Sequence, residues 1–105
     1  MRWLVFLFAA TLSACSRSAD TFQIYDPENM LRSADVQLCG LIEPLKQDHK
    51  LFVGSVPILC EGSGIVVLVA KNNRRFSCHI GYVTDLHQSW KFTVNGNKCV
   101  PLPNG

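Results

Sequence analysis

The sequence predicts a mainly β fold: a small disulfide-stapled antiparallel sheet, closed as a barrel or open as a sandwich, with one short helix near its N-terminal end. Three observations carry that expectation. From Val36 onward, runs rich in branched and aromatic residues (VQLCGLI, LFVGSV, IVVLVA, RFSCHIGYV and WKFTV) alternate with turn chemistry, and no long helical period competes. Cys39, Cys60, Cys78 and Cys99 are spread through the same stretch at intervals of 21, 18 and 21 residues, without the close pairs of a zinc or redox site. The chain has 105 residues, 48% hydrophobic and 17% charged, with a net charge of +2. That bounds it to one small domain and excludes a multidomain enzyme, a disordered chain and a low-complexity polymer.

Met1 and Arg2 begin the chain with a short positive segment, and residues 3 to 14 (WLVFLFAATLSA) carry no charge, whereas all eight acids and nine of the ten bases lie beyond position 15. The apolar core, Trp3 to Ala10, is too short for the ~20 residues that cross roughly 30 Å of hydrocarbon, so residues 1–14 read as a signal peptide. Residues 16–20 (SRSAD) are small and polar, a tether that extends at most about 18 Å at ~3.6 Å per residue. The folded domain is then residues 21–105. Thr21 to Tyr25 opens a strand. Asp26-Pro27-Glu28 combines a capping residue, a proline suited to the first helical position and an acid in the first turn, which predicts the short helix through Arg32.

Five strands follow. Pro44 and Pro57 interrupt the first two runs and push those strands to sheet edges. Ile65 to Ala70 is apolar on both faces, which predicts a central strand covered on both sides. Lys71-Asn72-Asn73-Arg74 joins two runs through asparagines, which tolerate positive φ, and Asn95-Gly96 is the preferred pair of a two-residue type I′ hairpin. In the last run, period two sets Trp90, Phe92 and Val94 on one face and Lys91 and Thr93 on the other, one face buried and one wet.

Leu12-Ser13-Ala14-Cys15 resembles the lipobox of bacterial lipoproteins at all four positions: a branched apolar residue, two small residues and cysteine. The resemblance implies that Cys15 receives a diacylglyceryl group on sulfur, that the preceding peptide is removed and that the new amino terminus is acylated. Residues 15–20 then form the lipidated cysteine and its tether, and the partner they imply is the lipid bilayer. One acyl chain attaches a protein only marginally, at ~0.8 kcal/mol per buried methylene, and three make a stable anchor. In enteric-type lipoproteins an aspartate after the lipidated cysteine favours the inner membrane, so Ser16 points to the cell outer membrane, the domain facing the periplasm. Five thiols are an awkward count for an exported protein until Cys15 is assigned to lipid. The other four predict two disulfides, which an oxidising periplasm permits. Three pairings are open, with Cys39–Cys60 and Cys78–Cys99 preferred.

Few residues offer chemistry. His79, Asp85 and His87 are the one group of metal-ligand or acid–base types, without a recognised spacing, and read as polar loop residues. Nucleophile elbow, phosphate loop, dinucleotide fingerprint and zinc-protease helix are all missing from the sequence. The expectation is a protein that is not an enzyme and holds no metal or cofactor. Glu61-Gly62-Ser63-Gly64 reads as a flexible loop. Lys71, Arg74 and Arg75 make a basic hairpin tip for an anionic contact with headgroups, lipopolysaccharide phosphate or an acidic protein. From Cys15 onward nine bases face eight acids, too even a balance for nucleic-acid binding. Phe76, Tyr82, Trp90 and Phe92 are expected mainly in the core.

The function expected from these features is that of a lipid-anchored envelope protein that binds or occludes another envelope protein. Its size, lipobox and cysteine-bounded domain, with Gly81-Tyr82 and Trp90 ahead of the last cysteine, resemble in plan the phage-encoded outer-membrane lipoproteins that block a surface receptor and exclude further phage. The same plan fits an accessory lipoprotein or pilotin of a secretion or conjugation apparatus. Its general architecture also resembles periplasmic lysozyme inhibitors.

Overall fold

The computed structural model describes residues 19–103; the expected signal peptide, Cys15 and residues 16–18 lie outside the described residues. Period-two burial builds the strands. In β1 (Ala19–Tyr25), Asp20, Phe22 and Ile24 are buried while Gln23 and Tyr25 are exposed. In β2 (Leu31–Leu38), Leu31, Ala34, Val36 and Leu38 point inward. The chain continues through β3 (Leu41–Pro44), β4 (Lys46–Asp48), β5 (Leu51–Pro57), β6 (Gly62–Ala70), β7 (Arg75–Val83), β8 (Ser89–Asn95) and β9 (Lys98–Pro101). They form two sheets, ordered β4-β5-β1-β8-β9 and β3-β2-β6-β7, whose inward residues share one apolar core that includes Phe22, Val36, Phe52, Leu68, Ile80 and Phe92.

The barrel is not closed. At one side the chain passes from one sheet to the other through Leu45, whose N–H donates to the Ala34 carbonyl at 2.8 Å. At the other side the edge strands β7 and β9 lie together and are joined by Cys78–Cys99 rather than by a backbone ladder. Cys39–Cys60 ties the β2–β3 turn to the β5–β6 connection. The preferred pairing is thus the one formed.

The helix expected from Asp26 is absent among the described residues, and the reason is local. The Asp26 carboxylate does cap backbone donors, but those of Met30 (3.0 Å) and Leu31 (2.9 Å), the latter already in β2. Asn29 at φ 53° turns the chain out of the helical direction and into the strand. The antiparallel pairing expected holds for every ladder but one: β1 pairs parallel with β8. Parallel neighbours need a long connection, here β2 to β7, so nothing local in the sequence announces them.

Other elements move by smaller amounts. VQLCGLI is a hairpin rather than one strand, with Cys39 at φ 56° and Gly40 at φ 76° as its two-residue turn, the type I′ pattern. The second hairpin turns on Gly96-Asn97, since Asn95 pairs with Lys98. Only Gly96 of those two has positive φ. Pro44 lies on an edge strand, but β5, which ends at Pro57, is internal. β4 pairs β5 only as far as Val53, so Pro57 has no ladder to interrupt on that side. β6 is central to its sheet, yet no helix covers its outer face, where Ile65 and Val67 are half-buried. Gly62-Ser63-Gly64 is part of β6, not a loop. β1 takes in Ala19 and Asp20, two residues of the expected tether.

Asp20 holds that first strand in place. Its fully buried carboxylate accepts the Gln88 N–H (3.0 Å) and the Trp90 indole N–H (2.9 Å), so one side chain satisfies two donors of the β7–β8 connection and β8. An unpaired buried donor costs about 1–3 kcal/mol. Asp20→Ala is therefore expected to lower unfolding stability by about 3 kcal/mol, read by urea denaturation; a loss no larger than that of an exposed substitution contradicts this role.

Candidate functional site

The basic tip is positioned by the β6–β7 turn. The Asn73 N–H donates to the Ala70 carbonyl (2.8 Å) and the Ala70 N–H to the Arg74 carbonyl (2.8 Å). The Asn72 side chain accepts the Arg74 N–H (3.0 Å), and Asn73 sits at φ 70°. Lys71, Arg74 and Arg75 are all exposed. Backbone contacts gather more bases around them. The Lys71 N–H donates to the Met30 carbonyl (2.9 Å), and the Asp26 N–H to the Lys50 carbonyl (2.7 Å). The β1–β2, β4–β5 and β6–β7 turns therefore meet at one end of the domain, and the β8–β9 turn lies at the same end because β8 runs parallel to β1.

Arg32, Lys50 and Lys98 are exposed at this basic pole with the three predicted residues, against the exposed acids Glu28 and Asp48. Among the described residues the single ion-pair geometry is local, between Asp48 and His49 at 2.9 Å, so the six bases keep their charge free for an outside partner. Beside them, Asn29, Gln47, His49 and Lys50 line a shallow cleft of about 460 Å³. This arrangement suits a multivalent contact with an acidic surface. Arg32, Lys50 and Lys98 escaped the sequence reading because only the topology brings them together.

The opposite pole is where β1 begins. The His87 ring bonds the Ala19 carbonyl, and Asp20 holds Gln88 and Trp90. Around this point large apolar side chains stand in solvent: Leu86 is 70% exposed, Tyr82 61% and Leu59 47%. Leu59, Glu61 and Asp85 line one cleft of about 230 Å³. The Tyr82 hydroxyl donates to the Glu61 carboxylate at 3.2 Å; that bond, with the carboxylate charge beside it, raises the Tyr82 pKa above its ordinary value.

The remaining candidates separate. His79 lies exposed on β7, His87 bonds Ala19 and Asp85 lines the cleft, so these three do not converge; among the described residues no group of three metal-ligand side chains does. Phe92 is buried, and Phe76 and Trp90 pack against the core, whereas Tyr82 is outside it. Cys15, the expected lipid attachment, lies outside the described residues. Comparisons with protein families, with curated proteins and with solved structures found no match, so the two poles are read from their own residues.

Proposed function

We propose that this protein is a lipid-anchored component of the bacterial envelope that binds, and occludes, another envelope protein through its basic pole. The observation that carries the reading is the position of β1: it starts at Ala19, at the pole opposite Lys71, Arg74 and Arg75. From an acylated Cys15 to Ala19 the chain reaches at most about 14 Å at ~3.6 Å per residue. Strands of seven to nine residues at ~3.3 Å per residue hold the two poles about 25 Å apart. Electrostatic attraction fades over ~8 Å at physiological salt. When the domain stands on its N-terminal pole, the basic tip lies beyond that range from the headgroups of its own membrane, and an acidic protein surface is the partner we assign to it. Two disulfides support an extracytoplasmic compartment. Outer-membrane residence and phage exclusion by blocking a receptor are the particular form we favour; a pilotin or secretion accessory uses the same surface on a different partner.

Crosslinking in intact membranes tests this. The wild-type protein is expected to capture one envelope protein in a salt-sensitive manner, and the K71E/R74E/R75E variant to lose that capture while staying in the membrane fraction. Undiminished capture by the variant contradicts the assignment. A second reading, inhibition of a lysozyme, is favoured by the same exposed basic tip, since glycosidase clefts carry a pair of carboxylates. Protection against added lysozyme that the charge reversal abolishes would select it.

A further inference from the structure

We propose that the N-terminal pole rests on the bilayer itself, with Leu59, Tyr82 and Leu86 seated in the zone between headgroups and acyl chains. The inference depends on the lipid anchor proposed above. Two independent features coincide at this pole. The short chain between Cys15 and Ala19 keeps this pole within about 14 Å of the membrane at ~3.6 Å per residue. The same pole carries the most exposed large apolar side chain of the described residues, Leu86, with Tyr82 and Leu59 close by. The Tyr82–Glu61 hydrogen bond and the cleft shared by Leu59, Glu61 and Asp85 join Tyr82 and Leu59 in one surface, and Leu86 follows Asp85 in the chain.

Its charge selects the lipid. The segments at this pole, 57–62 and 82–88, contain no lysine or arginine, while Glu61 and Asp85 stand exposed. Apart from Arg17 in the tether, nothing there attracts anionic lipid. Phosphatidylethanolamine fits, because its ammonium group meets the two carboxylates while the apolar side chains sit below, and tyrosine suits the same boundary with its apolar ring and polar end. The seat fixes the orientation of the domain, holding the basic pole outward where a tether alone would let it tumble.

The test uses acylated protein, its lipid verified by intact mass, in vesicles of phosphatidylethanolamine and phosphatidylcholine with brominated acyl chains. L86W and N73W are compared against the native Trp90 signal. Interfacial side chains lie about 5–10 Å into the boundary, so the added emission of L86W is expected to fall by roughly half in brominated vesicles. N73W should be unaffected. Acylated protein with L86W as bright as N73W overturns the seat and leaves the anchor standing. A blue-shifted but unquenched L86W also overturns it, since a protein then covers this pole. Protein without acyl mass overturns the anchor, and the seat falls with it.

Discussion

Loss of both disulfides should unfold the domain at 37 °C. Each bridge closes a loop with a sequence separation of 21, for which limiting the unfolded ensemble is worth about 3 kcal/mol. Two bridges together contribute roughly 6 kcal/mol, and a small domain has only about 5–15 kcal/mol in total. Because the two loops are equal in length, the unfolded-state contribution is the same for both, and any difference between single knockouts reports the native state. Cys78 is buried in the core and its bond clamps the β7 edge to the β9 edge, whereas Cys60 is exposed in a connection. C78A/C99A is therefore expected to lose more stability than C39A/C60A, by about 1 kcal/mol or more for the buried packing given up. Urea unfolding with and without reductant measures both effects. A reduced protein whose cooperative transition stays where the oxidised one lies would contradict the account.

Gly64→Ala should be nearly as damaging as the loss of a bridge, at about 3 kcal/mol or more. A Cβ at position 64 would lie 2.4 Å from the Gln37 carbonyl oxygen and 3.0 Å from Leu38 Cδ1. The first neighbour is backbone, in the β2 strand that β6 pairs with, so relief requires the two strands to part. Overpacking a core usually costs about 1–3 kcal/mol when side chains alone must adjust, and here a ladder must yield as well. Gly54→Ala meets the flexible end of Leu45 instead, at 2.7 Å, and Gly40→Ala meets open space at φ +76°. The latter pays only a left-handed backbone, about 1–2 kcal/mol. The predicted order of loss is thus Gly64 above Gly54 and Gly40, read from denaturation midpoints. A Gly64→Ala protein as stable as Gly40→Ala would mean that β2 and β6 do not approach as described.

Local chemistry made much of this fold legible. RFSCHIGYV occupies β7 from Arg75 to Val83, the Asn72-Asn73 turn forms where expected, and Phe92 and Val94 are buried on one face of β8 as period two requires. The misreadings share a cause. Asp26 predicts a helix cap because an aspartate that accepts backbone N–H groups looks the same ahead of a helix or a turn. Only Asn29, which takes positive φ, decides between them. Cys39 in a left-handed turn has no sequence signal, and its partner Gly40 alone did not divide the run. The parallel pairing of β1 with β8 and the gathering of Arg32, Lys50 and Lys98 near Lys71 are non-local, fixed by which turns share an end. The flexible reading of Gly62-Ser63-Gly64 failed because Gly64 is needed for close backbone approach, which looks like flexibility until the neighbouring strand is known.

The anchor at Cys15 is the claim on which orientation, reach and partner all depend. Intact-mass analysis of the protein extracted from membranes of a lipoprotein-processing bacterium measures it most directly. The account predicts a chain that begins at Cys15 and carries the added mass of its acyl groups, and a C15S variant that loses this mass and leaves the membrane fraction. A chain with no added mass at Cys15, or a C15S variant with unchanged mass and membrane residence, would contradict it.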